Sequence, residues 1–213
     1  MKSRNILVVG VLAVIAIAVG YTLTATESPE AYLEKIEKER ERQLKYLKYN
    51  IESPLTESQK RELKVLDHYP IDPKYKIRAK MVPVKDSKVL ELPMTDGSVE
   101  KYLKHSWAEF EWEGKTTRLL LLQAAKEQDK RNFFLAFADA TSGGETYGGG
   151  RYLNLRQDGK NSITIDFNLA YNPYCAYNPD FACPLPPREN LMDFPIPVGE
   201  RDYGKENGAE SKQ

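Results

Sequence analysis

The residues best suited to chemistry lie between positions 141 and 200. A glycine-rich block ends at Arg151 and is followed by a stretch crowded with tyrosine, asparagine and proline. Such density fixes the backbone in turns and aims polar side chains at one place. These residue types predict a site for a small polar or anionic ligand, and any catalytic residue is unknown. The candidates are Tyr147, Gly148, Gly149, Gly150, Arg151, Asp166, Asn168, Tyr171 and Asn172.

The glycine block matches neither common nucleotide-binding motif. No Gly-Lys-Ser/Thr follows it, as a phosphate loop requires, and no helix is expected after it to receive a pyrophosphate. Its successive N–H groups could still form an anion nest, beside which Arg151 would grip a carboxylate or phosphate at two points. The alternative is a tight turn in which Arg151 pairs with a buried acid such as Asp166 or Glu145.

Asp166 raises the possibility of a hydrolase. It ends an apolar strand, so its carboxylate is expected to be half buried and to need a partner. General acid–base work would use this or another acid, with Arg151 as electrostatic stabiliser. A structural ion pair between Asp166 and Arg151 explains the same pattern. The other acids available in the block are Glu145, Glu189 and Glu200.

The tyrosines and asparagines after the glycine block allow two interpretations. Flat aromatic faces and amide groups suit a cleft for a sugar or peptide. Alternatively, the asparagines hold turns and the tyrosines fill the rim of a small β-domain.

Cys175 and Cys183 are spaced C-x₇-C around a proline-rich loop. In an oxidising compartment such a pair forms a disulfide, and closing so small a loop stabilises a fold by roughly 2–3 kcal/mol. Reduced structural thiols are the alternative. A zinc site with His68 and His105 is disfavoured because neither histidine has zinc-finger spacing. We predict no metal site and no cofactor.

Charge and length restrict the class of protein. The chain of 213 residues has 31 basic and 31 acidic residues, and its formal net charge is zero. This balance gives no case for a nucleic-acid partner, which favours a basic face. The length allows one domain with additional segments.

Residues 6–23 carry no charge and are nearly all apolar, which meets the lower length limit of a membrane-spanning helix. Basic residues before them and acidic residues after them predict a cytoplasmic N-terminus and an extracytoplasmic main domain, anchored in the cytoplasmic membrane by residues 1–26. Cleavage as a signal peptide, leaving a periplasmic or secreted domain, is the alternative.

Helices are expected over residues 27–70. Ser28-Pro29 suits the start of a helix whose apolar stripe is interrupted by Arg40, and Ser53-Pro54 breaks it. Thr56 to Gln59 is a capping box that starts a second helix.

Residues 71–203 predict a β-rich domain. Ala108, Phe110 and Trp112 alternate with glutamates, and Glu113-Gly114 turns this strand into the next. Asp158-Gly159 predicts another hairpin. Short strands at this spacing indicate a mainly β fold with N-terminal helices (α+β), either an antiparallel β-sandwich or a partly open β-barrel, preceded by one transmembrane helix. Residues 204–213 are expected to form a disordered tail.

The motifs of this chain resemble those of the bacterial domain-of-unknown-function family 1684 over roughly residues 28 to 203. The resemblance implies a folded β-rich domain but no catalytic assignment. We therefore expect a membrane-anchored extracytoplasmic protein that binds a small ligand or an envelope protein, with a hydrolase or a scaffold of a membrane complex as alternatives. The matching residues are 146–152, 166–173, 175–177, 183–187, Glu189, Asn190, Gly199 and Glu200, with 53–55 and 67–70 before them.

Overall fold

The structure is a computed structural model that describes residues 27–85 and 88–206. The chain divides into two units, residues 1–35 and residues 36–213. Helix α1 (Pro29–Tyr49) starts in the first unit, and all later elements belong to the second. In the described ranges, no helix has the length and apolar character needed to cross a bilayer. The predicted anchor, residues 6–23, lies outside those ranges.

The predicted capping box starts helix α2 (Glu57–Glu62). Thr56 Oγ1 accepts a hydrogen bond from the Gln59 N–H at 3.3 Å, and Gln59 Oε1 accepts one from the Thr56 N–H at 2.8 Å. These reciprocal bonds satisfy donors that the helix itself leaves unpaired. Within α1, Arg40 is not a solvent-facing interruption, because its guanidinium donates to the Asn168 carbonyl at 3.4 Å.

Seven strands form one antiparallel sheet that nearly closes into a barrel. Their order is β6-β5-β4-β3-β1-β7, and β2 pairs with β3 beside this path. The mainly β fold and the partly open barrel are therefore confirmed, and the β-sandwich is wrong. The strands are β1 (Lys76–Pro83), β2 (Val89–Pro93), β3 (Val99–Trp112), β4 (Lys115–Ala124), β5 (Asn132–Phe137), β6 (Arg151–Arg156) and β7 (Ser162–Asp166).

The β3–β4 hairpin follows the sequence prediction. Ala108, Phe110 and Trp112 face the barrel interior, where they are buried with side chains from β4 to β7. Glu113 and Gly114 turn the chain with φ of 49° and 78°. Two successive positive φ values match the right-handed twist of the paired strands, which is why glycine suits the second position.

The hairpin predicted across Asp158-Gly159 is wrong. A turn is present, but the one bridge beside it joins Ile163 to Gln157, which lies just beyond the end of β6, and β6 and β7 form no ladder. β7 pairs instead with β1, where Ile165 lies opposite Ile77. The turn therefore connects β6 and β7, which are the first and last strands in the sheet order, at the place where the barrel nearly closes.

Residues 167–206 pack on the barrel with little regular structure. They include two single helical turns, α3 (Tyr174–Tyr177) and α4 (Tyr203–Glu206). Most of the predicted tail, residues 204–213, lies outside the described residues.

Candidate functional site

The first part of the glycine block, residues 143–146, forms a compact turn whose N–H groups are used internally. The N–H groups of Gly144, Glu145 and Thr146 all point to the Thr141 carbonyl, at 3.1, 3.0 and 3.1 Å. The Gly143 N–H donates to the Thr146 carbonyl at 2.9 Å. An anion nest needs such groups free and convergent. The nest predicted for this block is therefore not formed by these residues.

Gly150 is required by the backbone rather than by a ligand. Its φ is +85°, and a Cβ at this position would lie 2.5 Å from the carbonyl oxygen of Phe137. Gly148 is different, since a Cβ there would meet only the Gly143 backbone, at 3.6 Å or more. Gly150 thus lets the chain pass close to β5 as it enters β6.

Arg151 is fully buried and holds the fold together. Its Nη2 donates to Asp139 Oδ2 at 2.9 Å and to the Ile196 carbonyl at 2.8 Å. Its Nη1 donates to the carbonyls of Val198 and Glu200. A guanidinium with these partners cannot also grip an external anion. The predicted ligand-binding role of Arg151 is therefore corrected to a structural one, with Asp139 in place of the expected Asp166 or Glu145.

Asp166 and Asn168 fasten the end of β7. Asp166 Oδ1 accepts hydrogen bonds from the Asn168 N–H and Nδ2 at 3.1 and 3.0 Å. Asn168 in turn exchanges two hydrogen bonds of 2.9 Å with the Asp72 backbone. These contacts fix the Asp166 carboxylate at the end of β7, while the carboxylate that pairs with Arg151 is that of Asp139.

Asn172 belongs to a polar network around buried Glu200. The Asn172 N–H and Gln43 Nε2 donate to Glu200 Oε2 at 2.9 and 2.8 Å, and the Tyr177 hydroxyl donates to Oε1. Burial raises the pKa of Glu200, although these hydrogen bonds act against the shift. The network ties α1 to the segment after β7.

The structure brings Tyr147 of the glycine block to Cys175. The Tyr147 hydroxyl donates to Cys175 Sγ at 3.6 Å, and the Cys175 N–H donates to Cys183 Sγ at 3.1 Å. Both cysteines are free thiols, so the expected disulfide is not formed here. Tyr171 lies beside this cluster with its hydroxyl accepting a hydrogen bond from Asn154 Nδ2 at 2.8 Å. We call Tyr147, Cys175, Cys183 and Thr95 the thiol cluster.

An open groove on the outer face of the sheet was missed by the sequence reasoning. It has a volume of about 490 Å³ and lies beside Trp107, whose ring centroid is 4.6 Å from the Arg118 guanidinium. One signal was available, because Trp107 is an aromatic residue on the polar side of β3. We call this the Trp107 groove. Its lining consists of Val82, Pro83, Val84, Lys85, Lys88, Lys104, Trp107, Glu109 and Arg118.

The Trp107 groove is basic. Among the described residues that line it, four side chains are cationic and one, Glu109, is acidic. Lys104 is already paired with Glu189 at 2.9 Å, and this hydrogen bond lowers the pKa of Glu189. Glu109 lies opposite Arg118 in the β3–β4 register. The other cationic residues of the lining are Lys85 and Lys88, in the connection from β1 to β2, and Arg118 of β4.

Fold and contacts define a small, nearly closed antiparallel β-barrel whose C-terminal segment is fastened by buried polar side chains. The model of one family, described as "Protein of unknown function (DUF1684)", matches residues 61–201. The chain belongs to this family. Among solved structures, it is similar to the solution NMR structure of an uncharacterized protein from Haloarcula marismortui, with 31% identity and a TM-score of 0.63. That similarity covers 81% of this chain and 95% of the other. No curated protein gives a significant match.

Proposed function

We propose that this domain binds a small anionic ligand in the Trp107 groove. The observation that carries the proposal is the convergence of cationic side chains around one accessible indole ring. The chain as a whole is neutral, so such a convergence does not follow from its composition. A volume of about 490 Å³ falls within the usual range for small-molecule sites, roughly 300–1,000 Å³.

The lining indicates how such a ligand would be held. The planar guanidinium of Arg118 can donate two parallel hydrogen bonds to a carboxylate or phosphate. Lys85 adds a compact charge that attracts the ligand without fixing its orientation. Because more than one cationic side chain lines the groove, ligands with two or more negative charges are favoured over monoanions, although Glu109 reduces this preference.

Tryptophan fluorescence provides a direct test. We would titrate the full-length protein in detergent with pyrophosphate and citrate, using glycerol as the uncharged comparison. Saturable binding by an anion should weaken with added salt, because the charges are near the surface. Trp107→Phe should remove the signal change, while buried Trp112 keeps the background emission.

Charge variants identify the groove. Arg118→Ala and Lys85→Ala should each weaken binding about 10-fold, which corresponds to roughly 1.4 kcal/mol. Lys101→Ala is the matched control, because Lys101 is an exposed lysine of the same strand as Lys104 but outside the groove lining. Equal effects of Arg118→Ala and Lys101→Ala would reject this site.

The location of the domain is part of the proposal. We infer that residues 6–23 anchor it in the cytoplasmic membrane with the barrel on the outer side, since that stretch is uncharged and flanked by basic residues on its N-terminal side. Protease added to intact spheroplasts should then remove the barrel. Protection of the barrel until the membrane is lysed would contradict this orientation, and recovery in the periplasmic fraction would indicate cleavage.

A further inference from the structure

We infer that Cys175 and Cys183 form a redox-active dithiol that exchanges with a disulfide-bearing substrate. The two thiols are adjacent but unbonded, and the Cys175 N–H donates to Cys183 Sγ at 3.1 Å. The inference uses none of the residues of the Trp107 groove, so the two proposals can fail separately.

The two thiols differ in access. Cys183 is buried, with 4% of its surface exposed, whereas Cys175 is partly exposed on the single turn of α3. A substrate disulfide can therefore approach Cys175 from solvent but not Cys183. This difference assigns Cys175 as the attacking thiol and Cys183 as the thiol that completes the exchange.

The surroundings of Cys175 favour its thiolate. The hydrogen bond with the Cys183 thiol is the largest effect, and together with those from Tyr147 and Thr95 it lowers the pKa of Cys175 to about 6, against the opposing effect of burial. The pKa of Cys183 is raised by the same interaction with Cys175 and by burial. A thiolate is the nucleophile in disulfide exchange, and its attack is fastest when the pKa is near the ambient pH.

Cys183 is held in place from the opposite side. Its N–H donates to Thr95 Oγ1 at 3.1 Å, and its carbonyl accepts from the Thr95 N–H at 3.0 Å. Thr95 lies in the turn between β2 and β3. Cys183 is therefore fixed to the barrel, while Cys175 lies on a short turn between two proline-containing segments.

The exchange balances without any other reactant. The Cys175 thiolate attacks one sulfur of the substrate disulfide R–S–S–R, forms a mixed disulfide and releases RS⁻. Cys183 then loses its proton and attacks the Cys175 sulfur, which forms the intramolecular disulfide and releases the second RS⁻. Two protons from the former thiols end on the two released thiols, so the substrate is reduced and the cysteine pair is oxidised. The same steps run in reverse with an excess of thiol.

Glutathione redox buffers test the exchange on the full-length protein in detergent. After acid quenching and alkylation, the intact mass of the wild type should show a reversible form lighter by two hydrogens, with the disulfide mapped to residues 175 and 183. Cys183→Ala should accumulate a glutathione adduct on Cys175, because the completing thiol is missing. Cys175→Ala should acquire no adduct on Cys183 in the same time.

Alkylation rates separate this proposal from a structural pair and do not depend on the cysteine variants folding. In the reduced wild type at pH 7, iodoacetamide should modify Cys175 at least about 10-fold faster than Cys183. Tyr147→Phe should move the pH midpoint of Cys175 alkylation upward, because one donor to the thiolate is lost. Equal alkylation rates, a glutathione adduct on Cys183, or a disulfide that persists in the most reducing buffer would each overturn the inference.

Discussion

Arg151 Nη2 lies 2.9 Å from Asp139 Oδ2, and neither side chain is exposed to solvent. Asp139 Oδ1 also accepts hydrogen bonds from the Thr141 N–H at 2.8 Å and from the Ile196 N–H at 3.1 Å. The ion pair thus connects the entry of β6, the turn after β5 and the C-terminal segment. The arginine whose sequence position most suggests ligand binding is a central structural residue of the fold.

Removing one partner of this ion pair should be costly. Arg151→Met leaves the Asp139 carboxylate buried without its cation, and we expect the free energy of unfolding to fall by about 3–5 kcal/mol. Urea unfolding followed by tryptophan fluorescence measures this change. Arg156→Met is the control on the same strand, because its pair with Asp129 at 2.6 Å is exposed and should contribute less than about 1 kcal/mol. Equal losses for the two variants would contradict the structural role of Arg151.

The glycines of the block should differ in their tolerance of alanine. Gly150→Ala places a methyl group 2.5 Å from the Phe137 carbonyl at a positive φ, so we expect a loss of stability of at least about 1–3 kcal/mol. Gly148→Ala meets only ordinary contacts, at 3.6 Å or more, and should change stability by less than about 1 kcal/mol. Thermal unfolding followed by circular dichroism compares them. Equal losses for the two variants would contradict the close backbone contact assigned to Gly150.

We expect Asn190 to stabilise the fold, although it does not line the Trp107 groove. Strands β4 and β5 share one registered pair, Leu122 with Phe134. Buried Asn190 bridges them, because its Oδ1 accepts from the Leu120 N–H at 2.6 Å and its Nδ2 donates to the carbonyls of Leu120 and Ala136 at 3.0 and 2.9 Å.

Asn190→Ala leaves those three backbone groups without partners, so we expect a loss of roughly 2–4 kcal/mol in the free energy of unfolding. Hydrogen exchange provides a local measurement, in which the Leu120 amide should lose protection more than the Leu119 amide. Unchanged protection of the Leu120 amide would contradict the prediction, because another group would then accept the hydrogen bond from the Leu120 N–H.

Glu200 gives stability a specific pH dependence. Burial raises its pKa in the folded state, so between its unfolded value and the raised value the folded state binds more protons than the unfolded state. The contribution of Glu200 to the free energy of unfolding is therefore complete below the unfolded pKa of about 4.3. It is lost as the pH rises through the folded pKa, and the free energy of unfolding then falls by at most about 1.4 kcal/mol per pH unit.

Glu200→Gln should remove this loss. The glutamine amide reproduces the protonated acid, since its oxygen can accept from Asn172 and Gln43 while its nitrogen donates to Tyr177. The difference in unfolding free energy between this variant and the wild type should widen in favour of the variant from pH 5 to 8. His68, whose pKa burial lowers to about 4, acts in the opposite direction at acid pH but is common to both proteins. A difference that stays constant with pH would contradict the prediction.

Several elements could be predicted because neighbouring residues encode them. The alternation through Ala108, Phe110 and Trp112 specifies which side of β3 faces inward, and the positive φ at Gly114 follows from the short turn. The capping box at Thr56 is likewise a pattern of four consecutive residues. Each of these depends on local geometry, and the structure keeps all of them.

The Trp107 groove could not be predicted without the tertiary structure. Lys85 and Lys88 follow β1, Trp107 lies on β3 and Arg118 lies on β4, so only the pairing of these strands places their charges together. In the sequence the same residues are ordinary surface lysines and arginines of a neutral chain. The aromatic side chain on the polar side of β3 was the single local sign.

The sequence by itself determined the strands, the turns and the crowding of polar residues after position 141, because periodicity and turn chemistry are properties of adjacent residues. Only the tertiary structure decided their partners. Arg151 pairs with Asp139 rather than with Asp166 or Glu145, and β7 pairs with β1 rather than with β6. The physical reason is that a nearly closed barrel must satisfy its buried charges and strand edges across long sequence separations, and many combinations fit the same local pattern.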